Sequence, residues 1–259
     1  MDDTMVWTGI AAETWDTTGG DAPQWDHDFF RNVLEENPGL ALDVGCGAGR
    51  LLVRFLEYGL DVEGLELSPD MAKICQRKAT AKGLNPTLYL QDMRTMNLPK
   101  TYRTIFIPCG SFMLVLDYEE AKQTMRRFYD HLQPGGILAF TMFDMFGFKP
   151  EESSGEWRKP WHFSLPDDSE MEVSFHLDSV DQVEQVFRGQ RHYKIIKDGQ
   201  LLREQYLEDT FRWYSFNEIR LLLELSGFEL ISAKGNKLDE ALNETHWAMA
   251  VVAKKRDSV

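Results

Sequence analysis

Residues 41–50 read ALDVGCGAGR, an apolar run and an acid leading into Gly45, Gly47 and Gly49. Glycines at such a place remove Cβ atoms from the mouth of a turn. A ligand can then lie against main chain, and the free N–H groups of a helix start favour polar or anionic groups. Three uses compete for the turn. A phosphate loop requires Lys-Ser or Lys-Thr after its last glycine, and none follows here. A dinucleotide turn reads G-x-G-x-x-G, but counted from Gly45 the third glycine comes one residue early, at Gly49, and Arg50 holds the dinucleotide position. The third use is purely structural. Two acids bear on the choice. Glu66 ends the second apolar run, near the roughly 20-residue offset at which an acid meets a ribose. Asp92, in QDM (91–93), follows the third run. An acid there can accept from an exocyclic amine while the Met93 side chain lies on an aromatic base. Taken singly, either reads as a surface carboxylate or a helix cap. Together they sit at neighbouring strand ends, the edge where open α/β sheets bind ligands.

The elements that must position these residues alternate between strand and helix. LALDV (40–44), VEGLEL (62–67), TLYLQ (87–91), TIFIP (104–108) and ILAFTMF (137–143) read as strands. Leu51, Leu52, Phe55 and Leu56 recur at helical spacing before Gly59. Ser68 reads as an N-cap and Pro69 as the first residue of a helix that Gly83 ends. Asp117 and Glu120 form a capping pair for a helix carrying Ala121, Met125, Phe128 and Leu132, and PGG (134–136) turns the chain back. A helix is expected over about 24–36. After Phe143 the rhythm changes: residues 145–170 read as loop, and MEVSFHLD (171–178), QVEQVFRGQRHYKII (182–196) and LLREQYLEDTFRWY (201–214) as an antiparallel meander, with a hairpin turn at Asp198-Gly199. Ser215 and Glu218 open a helix ending at Gly227; FELISA (228–233) and THWAMAVVA (245–253) finish as strands, the last antiparallel. The expected fold is α/β: a doubly wound, Rossmann-like, mostly parallel seven-stranded sheet over 1–144 and 215–259, with an antiparallel β cap inserted over 145–214. Residues 1–38 make N-terminal helices and a lid around Trp15-Asp16 and Trp25.

Composition bounds the partners. Hydrophobic residues make 43% and charged residues 27% of 259, an ordinary soluble balance. No run approaches the roughly 18 apolar residues of a membrane span, and MDDTMVWTGI has no basic leader, so neither membrane nor signal peptide is expected. The formal charge of −14 repels a phosphate backbone, and Arg126-Arg127 and Lys254-Lys255-Arg256 are short. The expected partner is a small-molecule acceptor, not nucleic acid, with a homodimer allowed. Cys46, Cys75 and Cys109 form no C-x-x-C, which suits a reducing cytoplasm and argues against a disulfide frame or a structural metal.

In DVGCGAGR (43–50), VEGLELSPDM (62–71), LQDM (90–93), TIFIPCGSF (104–112) and LQPGGILAF (132–140) the chain resembles the class I S-adenosylmethionine-dependent methyltransferases. The resemblance implies main-chain contacts from Gly45, Cys46, Gly47 and Gly49 to the methionine part of the cofactor, with Asp43 ordering the turn. It implies Glu66, beside Leu67, on the ribose hydroxyls and Asp92 and Met93 on adenine. Main-chain oxygen from Ile107 through Pro108 to Cys109 would face the amino group. The [DNS]-P-P-[YFW] motif of the nucleobase and glutamine enzymes is replaced by Ile107-Pro108-Cys109-Gly110. No metal cluster of the catechol type is visible, Asp144 standing alone. The meander resembles the cap of glycine/sarcosine and amino-sugar N-methyltransferases, which implies N-methylation ahead of O-methylation. Methyl transfer from a sulfonium is an in-line displacement, for which a base is optional with an amine and needed with a hydroxyl. His176, His192 and Tyr214 are the candidate bases and Arg212 the candidate partner of a substrate carboxylate, each with a packing role as the alternative. Cyclisation or aminocarboxypropyl transfer from the same cofactor, or a non-catalytic cofactor-binding subunit, are the other functions left open.

Overall fold

The computed structural model describes residues 7–18, 24–143, 155–235, 240–243 and 246–256. The run before the glycines forms β1 (Ala41–Val44), buried at all four positions. Cover on both faces is what a central parallel strand requires, hence the lack of polar alternation. β1 pairs in parallel with β2 (Val62–Glu66) on one side and with β4 (Tyr102–Ile107) on the other. β3 (Leu88–Leu90) extends the sheet past β2, and β5 (Leu132–Phe143) lies past β4. β11 (Ala248–Lys255) is antiparallel to both β5 and β10 (Phe228–Lys234), giving a seven-stranded sheet of order β10-β11-β5-β4-β1-β2-β3. Connections leave β1 and β4 in opposite directions, and a crevice opens there at the carboxyl ends of the strands.

Helices cover both faces. α3 (Gln24–Glu36), α4 (Leu52–Glu57) and α5 (Pro69–Ala81) place Phe30, Phe55 and Cys75 against Phe106 and Ala139. α6 (Tyr118–His131) and α7 (Phe216–Leu225) place Phe128 and Leu222 against Ile105 and Ile107 on the other face. Ser68, Asp117 and Ser215 accept the N–H of Met71, Glu120 and Glu218 at 3.2, 2.9 and 3.2 Å, so the expected caps form. The acids three residues on do not reach back. Glu120 receives Arg94 at 3.1 Å and Glu218 receives Arg212 at 2.9 Å. PGG (134–136) is a bulge inside β5: Leu132 pairs with Tyr102 and Ile137 with Thr104.

The second sheet has four strands, in the order β6 (Trp161–Ser164), β7 (Glu170–Asp181), β8 (Val186–Lys197), β9 (Gln200–Arg212). The expected loop over 145–170 therefore contains a strand. Its four residues follow Pro160 and pair with Glu170–Val173 as an edge, where a flanking proline is tolerated. Asp198 and Gly199 form the hairpin turn with φ of +52° and +76°, as a two-residue type I′ turn demands. β8 starts later than expected because Asp181 accepts the N–H groups of Val183 and Glu184 at 2.9 and 3.0 Å and turns the chain there.

Two short N-terminal helices, α1 (Gly9–Glu13) and α2 (Trp15–Thr18), join the two sheets. Gln205 of β9 accepts the Ile10 N–H at 2.6 Å, while the Gly9 N–H donates to Asp70 of α5 at 3.0 Å. Glu13 pairs with Arg203 at 2.7 Å and Asp16 with Lys78 at 2.9 Å. No helix among the described residues is long and apolar enough to cross a membrane.

Candidate active site

The three glycines divide by task. All have positive φ: +70° at Gly45, +55° at Gly47 and +83° at Gly49. The N–H groups of Gly45 and Cys46 donate to Leu65 O at 2.8 and 3.1 Å, which holds the turn against β2. Gly45, Cys46 and Gly47 line a cavity at the crevice; Gly49 does not. A Cβ on Gly49 would stand 2.6 Å from Cys75 Sγ and 2.8 Å from Val53 Cγ2, so this glycine lets α4 and α5 close on the turn rather than meeting a ligand.

The acids at the strand tips are each held differently. Glu66 accepts Gly47 N–H at 2.8 Å and Ser68 N–H at 2.7 Å. Burial raises its pKa, and these backbone donors only partly oppose that. Asp92 accepts the Arg94 backbone N–H at 2.8 Å on one oxygen and the Arg94 guanidinium at 2.9 and 2.6 Å on the other. Both residues line the cavity, so the expected adenine acceptor is presented by an arginine that the sequence reading passed over. Asp43 is 1% exposed, and neither carboxyl oxygen has a hydrogen-bond partner of normal geometry among the described residues. Burial pushes its pKa up to about 8; Arg50 opposes this, while Glu66 and Asp26 reinforce it.

After β4 the chain turns sharply, with Cys109 at φ +54° and its N–H on Thr141 Oγ1 at 3.0 Å. Pro108 O accepts from the Ser111 hydroxyl at 3.0 Å. Arg50, on the cavity wall, donates to Asp26 of α3 at 2.8 Å and lies 3.1 Å from Cys109 Sγ. Burial pushes the Cys109 thiol up to about 11 against the pull of Arg50, so it stays protonated near neutral pH.

The cavity measures about 790 Å³, within the range of small-molecule sites. One side is the glycine turn with Glu66, Leu67, Asp92, Met93, Pro108 and Cys109. Facing it are Trp7, Trp15 and Asp16 and, from the second sheet, Trp161, Phe175, Phe187, Arg191, Asp209 and Phe211. Asp144 and the Trp25 side chain lie outside the described residues.

None of the expected bases, nor Arg212, lines this cavity. Side chains alternate along a strand. Phe175 pairs with Arg191 and Gly189 with Asp209, whereas His176 pairs with Gln190 and His192 with Tyr206. The parity that turns Phe175, Arg191 and Asp209 to the cavity turns both histidines to the opposite face. There His192 stacks on Tyr206 at 4.0 Å and Trp157 lies 5.2 Å from His176. Tyr214 lies past the end of β9, buried, and its hydroxyl donates to Val115 O at 2.6 Å. Arg212 is held by Leu116 O at 3.1 Å and Glu218 at 2.9 Å. Arg191 and Asp209 are the cavity residues missed in the sequence. Their shared parity with Phe175 and Phe211 was the available signal.

An adenosyl sulfonium needs bare main chain, an acid near its ribose hydroxyls, and negative charge for its cationic centres. Bare main chain at Gly47 and the Glu66 carboxyl are groups of these kinds, while Asp43, its pKa pushed up to about 8, offers buried oxygens without a partner of normal geometry among the described residues. Residues 41–136 match the model of the methyltransferase domain family. A putative methyltransferase of Geobacillus sp. (strain WCH70) is 29% identical over 225 residues, 83% of each chain. A Streptomyces venezuelae dTDP-3-amino-3,4,6-trideoxy-α-D-glucopyranose N,N-dimethyltransferase is 32% identical over 111 residues, 43% of this chain and 45% of that protein. An S-adenosylmethionine-dependent methyltransferase from Clostridium acetobutylicum has the same fold, with a TM-score of 0.78 at 17% identity over 96% of this chain and 98% of that one. The glycine turn, the acids at the strand tips and the sheet order agree with that match, and residues 41–136 read as a methyltransferase domain of the S-adenosylmethionine-dependent type.

Proposed function

We propose that this chain methylates a nitrogen of a small-molecule acceptor, an amino sugar being the class its relatives favour. The observation that carries this is the shared cavity. The glycine turn and strand-tip acids form one wall, and the inner face of the four-stranded sheet, read as the acceptor cap, forms the other. When bound, S-adenosylmethionine supplies a methyl group already activated on sulfur. The chain's own task is to orient the acceptor and exclude water. Gly45, Cys46 and Gly47 bring main chain to the cofactor side, and Glu66 offers its remaining lone pairs to hydroxyls. Trp161, Phe175 and Phe211 supply an apolar wall that displaces water from the acceptor side. The described residues lining the cavity include no histidine, lysine or tyrosine. A hydroxyl acceptor calls for a stronger base than the carboxylates on this wall, whereas an amine needs only to arrive neutral, so this wall suits nitrogen. The Streptomyces venezuelae relative, whose name places its chemistry on the amine of a nucleotide-linked sugar, supports the same choice.

The test is formation of S-adenosylhomocysteine from S-adenosylmethionine with a panel of acceptors. The panel holds dTDP-3-amino-3,4,6-trideoxyglucose, its 3-hydroxy counterpart, free amino acids and phenols. Turnover confined to amines is expected. Turnover of hydroxyl compounds alone, or release of 5′-methylthioadenosine in place of the homocysteine product, would overturn the reading.

A further inference from the structure

Asp209 is 2% exposed and lines the cavity from the cap side, on a sheet that contributes nothing to the glycine turn. One of its carboxyl oxygens accepts Arg191 Nε at 2.7 Å. The other, Oδ1, has no hydrogen-bond partner among the described residues. A buried carboxylate oxygen without a donor is costly, and few such groups persist without a use. The strand position paired with Asp209 is Gly189, which brings no side chain towards that oxygen. A Cβ on Gly189 would stand 2.4 Å from His176 O and 3.0 Å from the Phe175 ring, so the packing of β7 keeps a side chain off that position. Arg191 in turn lies over the Trp7 ring at 5.4 Å, which ties the pair to the N-terminal segment.

We propose that Asp209 is the acceptor-recognition residue, its Oδ1 receiving an N–H of the acceptor's amino group while Arg191 holds the other oxygen in place. This deepens the N-methyltransferase reading and rests on it. The pair is electrically neutral as a unit, so it does not attract an anionic acceptor; its one unmet need is for a donor. A neutral amine that donates one N–H to Oδ1 keeps its lone pair free for the methyl group. An amine arriving as R–NH3+ gives one proton to the Asp209 carboxylate, leaving R–NH2 and a neutral carboxyl. Burial of Asp209 raises its pKa, with Arg191 opposing, and so favours that transfer. The groups facing Asp209 from adjoining positions are Arg191 and, against Arg191, Tyr193. A purely structural ion pair would instead engage both oxygens or give one to solvent.

The test uses the whole chain labelled with carbon-13 at the aspartate carboxyl carbons, with and without saturating S-adenosylhomocysteine. It is titrated with cyclohexylamine and separately with cyclohexanol, and the Asp209 resonance is assigned by its loss in Asp209→Asn. Cyclohexylamine should shift that resonance saturably at concentrations where cyclohexanol leaves it in place. No response to the amine, or an equal response to both, overturns the proposal. S-adenosylhomocysteine binding is followed in the same samples by calorimetry, so absence of heat defeats the methyltransferase reading separately from the Asp209 response. With any amine that turns over, Asp209→Asn should raise the acceptor KM at least tenfold and leave the S-adenosylmethionine KM within twofold. An unchanged acceptor KM in a variant with native circular dichroism overturns the proposal as well.

Discussion

The Glu66 carboxylate accepts the Gly47 N–H at 2.8 Å and pins the tip of β2 to the glycine turn at the tip of β1. Its second oxygen takes the Ser68 N–H at 2.7 Å and so also sets the start of α5. Glu66→Gln must turn an NH2 towards one of these N–H donors. It should lower the apo chain's stability by about 1–3 kcal/mol, as for a buried group left unsatisfied. Calorimetric S-adenosylmethionine affinity should fall at least tenfold. Unchanged affinity would place the ribose elsewhere.

Two glycine variants separate ligand contact from packing. Gly47→Val puts a side chain into the cavity, where the nearest neighbour of its Cβ is the movable Met71 Cε at 3.3 Å. Its positive φ adds roughly 1–2 kcal/mol of strain. The variant should fold with a lowered Tm and bind no cofactor. Gly49→Val should instead fail in the core, against Cys75 and Val53, and lose more stability than the Gly47 variant. Comparable Tm values for the two would contradict this division.

Asp92 and Arg94 can be dissected in the same way. Asp92→Ala removes the expected adenine acceptor and leaves the Arg94 guanidinium to Glu120, so cofactor binding should weaken by about 1–3 kcal/mol. Arg94→Ala leaves the carboxylate in place and loosens it, and a smaller loss is expected. A larger loss from Arg94→Ala would make the arginine the ligand group.

The buried Asp43 makes a pH prediction. Its folded pKa of about 8 lies above the ordinary 3.8, so between those values the folded chain holds a proton that the unfolded chain has released. The unfolded state then binds fewer protons, and stability falls as pH rises through that window. Asp43→Asn removes this contribution. The apo variant should overtake the wild type in Tm above about pH 8 while binding S-adenosylmethionine at least tenfold more weakly. Parallel Tm-against-pH curves for the two proteins would show that Asp43 is not the group responsible.

Tyr214→Phe tests the reassignment of that residue. Losing the hydroxyl leaves Val115 O without its donor at 2.6 Å and should lower stability by about 1–3 kcal/mol. Both KM values and kcat should stay within twofold. A loss of kcat in a folded variant would return Tyr214 to the reaction.

Apart from β6, the order of the strands, the caps at Ser68, Asp117 and Ser215, and the Asp198-Gly199 hairpin were legible in the sequence because each is decided within a few residues. So was the edge of the sheet where the cavity opens, since a glycine turn and two acids at successive strand ends mark it without reference to the rest of the chain. What lies across the cavity was not legible. A strand offers two faces of alternate residues, and β7, β8 and β9 carry polar and aromatic groups on both. Only the docking of that sheet, through Gln205 and α1, decides that Arg191 and Asp209 face the glycine turn while His176 and His192 face away. Likewise three glycines alike in sequence part company once Cys75 and Val53 pack against one of them. Local pattern is set by short-range sterics and hydrogen bonds. The choice of face and of partner depends on contacts between residues far apart in the chain, and no stretch of sequence carries those by itself.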